Sequence, residues 1–409
     1  MERIILHSDL NCFYASVEMM LCPALRGKAV AVCGSTEDRH GIVLAKSELA
    51  KRAGVRTGMV IWEARQLCPE LAVVPPRYDQ YLKYSALTRD IYQRYTDLVE
   101  PFGMDECWLD VTGCGGSGTE IAEEIRRAVK EELGLTVSIG VSFNKVFAKL
   151  GSDMKKPDAV TEIRPEDFRE KVWPLPAREL LYVGRATERK LAHYGIRTIG
   201  DIAAAAPEFL QRQLGVNGLA LWRYARGMDR SPVKHSEMPT PIKSIGRGIT
   251  CTADLVSSEE VWRVILELTQ DIGRQLRSHG LVAAGAAISV KSNDLTSRQY
   301  QAPLPCPTRS PTEIARKARA LFDANYGWAL PVRSVSVRVF DLLPHGAPIQ
   351  TSFFFDTRRL VRRECLDDAI EDIRRRFGRA AIGSAACMGD LKMPAPDVHE
   401  LLLPSVMYQ

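Results

Sequence analysis

Three carboxylates from two distant parts of the sequence could bind a divalent cation. Asp9 closely follows the apolar run at residues 4–6, while Asp105 and Glu106 stand at the start of a second strand-like stretch. Adjacent side chains on a strand point to opposite faces, so neighbouring acids converge only where the backbone bends, as it can at a strand's start. Hard cations such as Mg²⁺ prefer oxygen ligands and leave part of their coordination shell to phosphates. Because an adjacent Asp and Glu are more often a solvated turn, the pair needs support from its surroundings.

The pattern around these carboxylates predicts an α+β sheet built from discontinuous parts of the chain. Apolar runs predict strands at residues 4–9, 106–111 and 136–141. Apolar residues at helical spacing predict helices at residues 13–20, 41–52, 78–98 and 119–133. The helices that precede the Pro75-Pro76 pair are interpreted as a small inserted helical lobe.

The remaining sequence predicts a helical segment, a linker and a second α+β domain. Residues 165–230 contain a glycine hairpin between two short helices, although an ordinary helical subdomain fits that pattern equally well. Residues 231–241 hold three prolines and few apolar side chains, which is typical of a linker. The second domain, residues 244–341, alternates predicted strands at 283–290 and 332–340 with predicted helices at 258–278 and 311–326. Beyond residue 345 we expect an apolar segment at 349–355, a helix at 366–377 and a loose end.

Length and composition set wider limits. A chain of 409 residues favours two to four domains, and a net charge of +5 fits one basic face without proving nucleic-acid binding. The 10 cysteines form no C-x-x-C pair, which argues against a zinc ribbon and favours reduced thiols. The N-terminal apolar run is too short for a signal peptide, and no run of eighteen apolar residues occurs. We therefore expect a cytoplasmic, monomeric protein without membrane contact.

Four motifs follow one another along the sequence. They are HSDLNCFYASVE at residues 7–18, FGMDECWLDVT at 102–112, SIGVSFNKVFAKL at 138–150 and KSIGR at 243–247. In their residues and their order along the chain, they resemble the motifs of the Y-family translesion DNA polymerases, and among these the bacterial DNA polymerase IV type. The resemblance covers residues 1 to about 345.

The resemblance implies an α+β multidomain, right-hand polymerase with palm, fingers, a helical helix-hairpin-helix thumb and an α+β little finger domain. The implied segments are the palm at 1–10 and 77–165, the fingers at 11–76, the thumb at 166–232, a linker at 233–243, the little finger at 244–342 and a C-terminal tail at 343–409. It also implies template-directed translesion DNA synthesis with low fidelity and a role in DNA repair and damage tolerance. No block of acids typical of an exonuclease accompanies the motifs, so proofreading is not expected.

The resemblance further implies two Mg²⁺ ions and nucleotidyl transfer from a deoxynucleoside triphosphate to a primer 3′-hydroxyl. By the motif match, Asp9 and Asp105 would bridge both ions and Glu106 would bind the hydroxyl-side ion. The carbonyl of Leu10 would bind the triphosphate-side ion. Asn11 stands where the family usually has a second aspartate, and we expect this change to be tolerated because the family uses the backbone there.

Tyr14 occupies the place where this family keeps an aromatic wall under the sugar. A ring there would exclude a ribonucleotide by clashing with its 2′-hydroxyl. The alternative is a buried core tyrosine, in which case Phe13 is the next candidate for the wall. Lys156 is expected to carry triphosphate charge as a flexible cation.

The predicted fingers depart from the family pattern at three positions. Ala45, Glu48 and Lys51 stand where Thr or Ser, Tyr and Arg are usual. A carboxylate beside a tetra-anionic ligand puts the usual triphosphate contacts in doubt. Lys46, Lys51 or Arg52 could supply the missing contact, and Lys51 is the candidate nucleotide contact, although lysine does not reproduce the bidentate geometry of arginine.

Contacts to primer-template DNA are implied in the thumb and the little finger. The backbone near Gly184 would meet phosphates at the glycine hairpin, where V-G-R stands in place of the usual G-[IV]-G. Arg247, Arg333 and Arg338 are candidates for contacts to template phosphates. Scattered surface arginines usually do nothing specific, and the motif position of Arg247 favours it most.

The peptide Gln350-Thr351-Ser352-Phe353-Phe354 resembles the Q-x-[SD]-[LF]-F sequence that bacterial polymerases insert into the sliding clamp. A glutamine and two large apolar side chains on an extended segment can fill a hydrophobic pocket on a partner. The alternative is a terminal strand that packs its phenylalanines into the chain's own core.

Two rival functions predict other features. A catalytically silent relative that only recruits other polymerases is expected to lack a metal carboxylate, and all three are present here. A nucleotide cyclase can use a similar sheet with two metals, but it predicts neither the glycine hairpin nor the basic C-terminal domain.

Overall fold

The computed structural model describes residues 3–37, 39, 41–236, 238, 241–348 and 356–394. These residues form two compact units, which divide the chain after residue 239, with the short segment 35–41 belonging to the second unit. In the first unit the strands are β1 (Ile5–Leu10), β2 (Val30–Cys33), β3 (Val43–Lys46), β4 (Ala72–Val74), β5 (Val99–Pro101), β6 (Glu106–Asp110), β7 (Val137–Ser142) and β8 (Val160–Ile163). Its helices are α1 (Phe13–Leu21), α2 (Glu48–Arg52), α3 (Ile61–Leu67), α4 (Tyr78–Tyr92), α5 (Gly118–Leu133), α6 (Lys145–Met154), α7 (Phe168–Val172), α8 (Arg185–His193), α9 (Ile199–Ala204), α10 (Pro207–Leu214) and α11 (Val216–Ala225).

The main sheet of the first unit has the order β5-β6-β1-β7-β8. Strand β1 is central and runs antiparallel to both β6 and β7. Side chains on the two faces of β1 contact different helices. Leu6 packs in the core with Ile125 of α5, whereas His7 on the other face hydrogen-bonds to Ser152 of α6. The predicted discontinuous α+β sheet is therefore observed.

Helix α6 lies unusually close to β7 because Gly140 has no side chain. A Cβ at Gly140 would stand 1.9 Å from the carbonyl oxygen of Ala148 and 2.5 Å from the amide nitrogen of Ser152. Gly151 completes the contact from the helix side, since its own Cβ would lie 3.2 Å from the Gly140 Cα. This close approach fixes the depth at which α6 presents its side chains to β1 and β6.

The inserted lobe contains a sheet as well as helices, which corrects the prediction of a helical lobe. Its three strands have the order β3-β2-β4, and β2 and β4 are parallel. The helix predicted over residues 41–52 is wrong at its N-terminal part, where Val43–Lys46 forms β3. Helix α2 starts only after Ser47, whose hydroxyl accepts from the backbone N–H of Ala50.

Residues 168–225 form the five helices α7–α11 around an apolar core that they share with α6 and with Ile163 of β8. Helices α8 and α9 match the predicted pair of short helices, and Gly195 has the positive φ of 77° that ends α8 sharply. A capping box at Thr198 and Asp201 then starts α9. The helix predicted to run to residue 98 ends earlier, at Tyr92, because residues 99–101 pair with β6.

The second unit is a four-stranded antiparallel sheet with helices on one face. Its elements are β9 (Ser244–Leu255), α12 (Ser258–Ser278), β10 (Leu281–Ser292), β11 (Ser297–Thr308), α13 (Pro311–Asn325), β12 (Val332–Pro344) and α14 (Thr357–Phe377). The strand order is β11-β10-β12-β9. Alternate residues such as Ile288 and Val337 join the core under α12 and α13, while Arg338 and Gln301 lie on the uncovered face.

The C-terminal helix is longer than predicted, and the end of the chain from residue 395 lies outside the described residues. Helix α14 begins at residue 357, well before the predicted residue 366, and packs on the second unit through polar contacts. Asp368 lies 2.8 Å from both Arg277 and Arg309, and Ser310 donates to the buried Asp367 at 2.5 Å. The apolar pattern missed the first part of this helix, residues 357–365, because its contacts with the domain are largely ionic.

We predict that Gly140→Ala lowers the free energy of unfolding by about 3 kcal/mol, because the new methyl group overlaps backbone atoms that belong to α6 and cannot rotate away. Chemical denaturation monitored by circular dichroism measures the loss. Gly184→Ala is the matched control, since a Cβ at Gly184 meets nothing within 4 Å. A comparable loss in both variants would contradict the close contact between α6 and β7.

Candidate active site

Strand pairing brings the three carboxylates together at one edge of the main sheet. Asp9, next to the last residue of β1, lies directly opposite Glu106, the first residue of β6. The backbone N–H of Leu10 donates to the carbonyl of Asp105 at 2.9 Å, which fixes the bend just before β6. The bend lets Asp105 and Glu106 stand beside Asp9 although they are adjacent in sequence.

Burial dominates the electrostatics of the two aspartates. Burial raises the pKa of Asp9 to about 6, with Lys156 opposing the rise. Burial, followed by repulsion from Asp9 and Glu106, raises the pKa of Asp105 to about 7. Two buried carboxylates that are costly to ionise favour a cation beside them, because its charge offsets both desolvation and repulsion.

Glu106 has partners of its own. Its Oε2 contacts the ammonium of Lys149 and lies 3.2 Å from Nε2 of His7. Burial would raise the pKa of Glu106, but hydrogen bonds and charge from His7 and Lys149 lower it to about 2. Glu106 is therefore ionised and held toward α6.

His7 and Lys149 belong to the sequence motifs, but the sequence indicated no role for them. His7 is fully buried, and its Nδ1 lies 2.8 Å from Oγ of Ser152. The spacing could have indicated that His7 belongs to the site, because it lies two residues before Asp9 and therefore on the same face of β1. Nothing in the local sequence of Lys149 reveals its contact with Glu106, which depends on how closely α6 packs.

A cleft of about 400 Å³ opens beside the aspartates. Most of the residues predicted to bind metal or nucleotide line it, namely Asp9, Leu10, Phe13, Tyr14, Lys51, Asp105 and Lys156. Ala45 and Glu48, the departures from the family pattern, line it too. Glu106 is absent from the lining because its side chain is turned toward α6.

Tyr14 belongs to an aromatic cluster at the start of α1. Its ring stacks on Tyr81 at 4.2 Å with an interplanar angle of 8°, and Tyr78 meets it edge-on at 6.0 Å. The hydroxyl of Tyr81 donates to Glu18 at 2.7 Å, which anchors the stack from below. The ring of Tyr14 is thus a rigid wall of the cleft, while Phe13 is buried in the core behind it.

Lysines supply the positive charge of the cleft. Lys156 Nζ lies 2.6 Å from Oδ2 of Asp9 and 2.8 Å from Oδ1 of Asp153. Burial would lower the pKa of Lys156, but these two carboxylates raise it above its ordinary value. Lys51 is half exposed and lies 3.5 Å from Glu48.

Glu48 is among the residues that line the cleft. Its Oε1 accepts from the thiol of Cys12 at 3.2 Å and also faces Lys51. Through Glu48 this cleft carries a negative charge where the family pattern has a tyrosine.

In the first unit, Gly184 precedes the pair of helices α8 and α9, whereas Gly195 lies between them. Gly184 is the residue before α8, and a Cβ placed on it would have no neighbour within 4 Å. Tyr182 has a φ of 70°, a conformation that favours glycine. The backbone therefore favours aligning Tyr182-Val183-Gly184, rather than Val183-Gly184-Arg185, with the family's G-[IV]-G pattern. The side chain of Tyr182 is 65% exposed beside this hairpin.

The three candidate arginines of the second unit lie in different surroundings. Arg338 is exposed on the uncovered face of the sheet. Arg333 is half buried and interacts electrostatically with Asp254. Arg247 pairs in register with Val337, so its side chain lies on the helix-covered face, 3.6 Å from Asp271 of α12. This placement argues against the phosphate contact predicted for Arg247, because the alternation of a strand sends it away from the open face.

The described part of the chain contains no group of three metal-ligating side chains already gathered around one point. Within the same residues, no helix is both long and apolar enough to cross a membrane. The predicted clamp residues Gln350, Phe353 and Phe354 lie outside the described residues.

We predict that Asp105→Asn stabilises the metal-free protein at pH 8. The pKa of Asp105 is raised in the folded state, so the folded protein binds more protons than the unfolded chain between about pH 4 and 7, and stability falls as the pH rises through this window. The amide removes this cost, which should raise the melting temperature by a few degrees at pH 8. Melting curves in a chelator at pH 8 and pH 5 test this, and the advantage should shrink at pH 5, where the native carboxyl is protonated.

Three family descriptions match separate parts of the chain. Residues 8–153 match the impB/mucB/samB family, and residues 242–353 match the C-terminal domain of that family. Residues 178–229, which contain α8–α11, match the DNA polymerase-iota thumb domain. The matches cover most of the main sheet, four of the five helices α7–α11, and the four-stranded sheet in turn.

Proteins of several bacteria are similar along nearly the whole chain. The DNA polymerase IV of Acetivibrio thermocellus is 49% identical over 95% of this chain and 98% of its own length. DNA polymerase IV 1 of Bacillus subtilis is 36% identical over 95% of this chain and 94% of its own length. A solved Y-family DNA polymerase chimera, Dbh-Dpo4, superposes with a TM-score of 0.75 at 23% identity, over 83% of this chain and 99% of its own, which confirms the predicted fold class. The chain therefore belongs to the impB/mucB/samB family, the Y-family DNA polymerases, and within it to the bacterial DNA polymerase IV type.

Proposed function

We propose that this DNA-directed DNA polymerase adds deoxynucleotides to a primer 3′-hydroxyl at the Asp9, Asp105 and Glu106 carboxylates, and that it acts in translesion synthesis, DNA repair and damage tolerance. The observation that carries the proposal is that Asp9 lies opposite Glu106, with Asp105 next to it, at the paired ends of β1 and β6 and beside a cleft lined by lysines and by Tyr14. The chain shows no exonuclease-like block of acids, so copying is proposed to be of low fidelity and without proofreading.

We assign the domains as the motifs suggest. The proposed palm is residues 1–10 and 77–165, the fingers 11–76, the thumb 166–232, the linker 233–243 and the little finger 244–342. The described residues 356–394 extend the little finger unit rather than forming a separate tail, because α14 packs on it.

Two magnesium ions are the proposed cofactors, held by Asp9, Asp105, Glu106 and the carbonyl of Leu10. The side chains fit magnesium because hard cations prefer oxygen ligands. Burial also raises the pKa of both aspartates, and a bound cation would favour their ionised form. When bound, the ions lower the pKa of the attacking hydroxyl and neutralise charge on the attacking and leaving oxygens. Glu106 would have to leave its contact with Lys149 before it could bind an ion, since the proposed ligands are not grouped around one point in the described residues.

The side chains around the cleft would bind and orient the nucleotide. Lys156 and Lys51 present ammonium groups that can meet the triphosphate. Tyr14, fixed by its stack on Tyr81, would lie under the sugar and exclude a 2′-hydroxyl. Glu48 opposes these cations, so we expect weaker triphosphate binding than a tyrosine at that position would give.

Primer-template DNA is the proposed macromolecular substrate of two surfaces, one in each compact unit. The backbone around Gly184 is open for a phosphate at the start of α8. The uncovered face of the four-stranded sheet carries Arg338 with small and polar neighbours such as Ser336 and Ser289, which would let a nucleic-acid backbone approach closely. Arg333 is kept as a weaker candidate, and Arg247 is not proposed for this role.

Three further assignments rest on the sequence. A sliding clamp is proposed as a partner through Gln350, Phe353 and Phe354, because a tether converts rebinding into an intramolecular step for a polymerase with few primer contacts. We also propose that the protein acts as a monomer and in the cytoplasm.

Asp105→Ala and Glu106→Ala are each expected to abolish nucleotide addition while leaving primer-template affinity within about threefold. The carboxylates act on the transition state, whereas DNA is held by phosphate contacts elsewhere. Primer extension with magnesium measures the first effect and fluorescence anisotropy of labelled DNA the second. Extension above a few per cent of wild type in both variants would refute the assignment.

Tyr14→Ala is expected to gain an activity rather than lose one. With the wall removed, ribonucleotides should be incorporated at least about tenfold more efficiently relative to deoxynucleotides. Tyr14→Phe is the matched control, because it keeps the ring and should keep the discrimination. If Tyr14→Ala left the ratio unchanged, the sugar would have to meet another side chain.

A further inference from the structure

We propose that Asn11 is a positioning residue that holds the turn carrying Lys156, and that it thereby sets nucleotide affinity without touching the nucleotide. The inference rests on the proposed role of Lys156 in binding the triphosphate. It gives a function to the residue that replaces the second aspartate of the family motif, a function separate from metal binding.

Both ends of the Asn11 side chain are used inside the protein. Asn11 is only 5% exposed. Its Nδ2 donates to the hydroxyl of Ser138 on β7 at 2.9 Å, and its Oδ1 accepts from the backbone N–H of Asp158 at 2.9 Å. The amide therefore ties the main sheet on one side to the turn after α6 on the other. An amide placed in this way has both of its polar atoms engaged within the protein rather than with a cation in the cleft.

The turn that Asn11 holds is fixed at a second point. Asp158 has a φ of 55°, in the left-handed region that Asp tolerates better than most residues. Its carboxylate lies 2.8 Å from Arg126 and 2.7 Å from Lys130, both on α5. The backbone N–H of Asp158 is bound by Asn11 and its side chain by α5, so the turn has little freedom to move.

Lys156 takes its position from this turn. It stands two residues before Asp158, and its ammonium reaches Asp9 at 2.6 Å. A lysine side chain is long and flexible, so the place where its charge acts depends on how well its backbone is fixed. Without Asn11 the turn would lose a buried hydrogen bond and its link to the sheet. Lys156 would then meet a ligand at a larger entropic cost.

The amide suits this task better than the aspartate that the family pattern would put there. Asp at position 11 could still accept from Asp158, but it could not donate to Ser138. Asn makes both hydrogen bonds.

A double-mutant cycle on the full chain tests the inference. Asn11→Ala should raise the apparent Kd for an incoming deoxynucleotide about tenfold in single-turnover primer extension, as the loss of one well-placed buried hydrogen bond would, while the maximal rate stays within about threefold. In a Lys156→Ala background the same change should add less than about twofold, because the side chain that Asn11 positions is already gone. An equal effect of Asn11→Ala with and without Lys156 would overturn the proposal.

Ser16→Ala provides the matched control. Its hydroxyl donates to the backbone carbonyl of Asn11 at 2.7 Å, so its removal perturbs the same residue but leaves the amide contacts in place, and nucleotide affinity should not change. If Asn11→Ala does not fold, Asn11→Asp enters the cycle, with a loss of about threefold expected that again disappears without Lys156. Failure of the wild-type protein to extend a primer would refute the proposed function itself, whereas extension without coupling would refute only the role of Asn11.

Discussion

The antiparallel pairing of β1 with β6 is the interaction on which the site depends. It sets Asp9 opposite Glu106 although a whole inserted lobe separates them in sequence. Because side chains alternate along a strand, a slip of one residue would turn Asp9 and His7 to the opposite layer of the sheet. The register is protected by the central position of β1, which pairs with β7 on its other edge and contributes Leu6 and Leu10 to the apolar core.

The second determinant of the site is the depth at which α6 packs. Gly140 allows the helix to approach the sheet so closely that Lys149 reaches Glu106 and Ser152 reaches His7. These contacts keep Glu106 ionised, whereas Asp9 and Asp105 keep raised pKa values. Glu106 thus differs from Asp9 and Asp105 in the direction of its pKa shift, because the side chains around it differ. The unfavourable burial of the two aspartates is the kind of local instability that functional sites retain for a ligand that relieves it.

The two faces of the sheet in the second compact unit differ in burial. One face is covered by α12 and α13 and holds the apolar core, while the other face is left with small and polar side chains around Arg338. Helix α14 adds to the covered side through Asp367 and Asp368 rather than through apolar contacts. Since the family description ends at residue 353, this helix lies beyond the matched domain and yet shares its unit.

The sequence by itself determined the fold class, the three carboxylates and most of the residues that line the cleft. These features depend on local patterns: apolar runs that end in acids, helical periodicity, and motifs in which Tyr14 and Lys156 have fixed places. It missed the strands β2, β3, β4, β5, β8, β9 and β11. Most of these strands are short, and the edge strand β11 contains prolines, so clear alternation is lacking. It also missed the start of α14, whose contacts are ionic.

Only the tertiary structure decided which side chains meet across those elements. It placed Arg247 against Asp271 on the covered face, paired Lys149 with Glu106, and joined Asn11 to Asp158. Each of these contacts links residues far apart in the chain, so none leaves a periodic signal in sequence. Their geometry is fixed by strand register and by the distance between helix and sheet, and these depend on the packing of all the elements together.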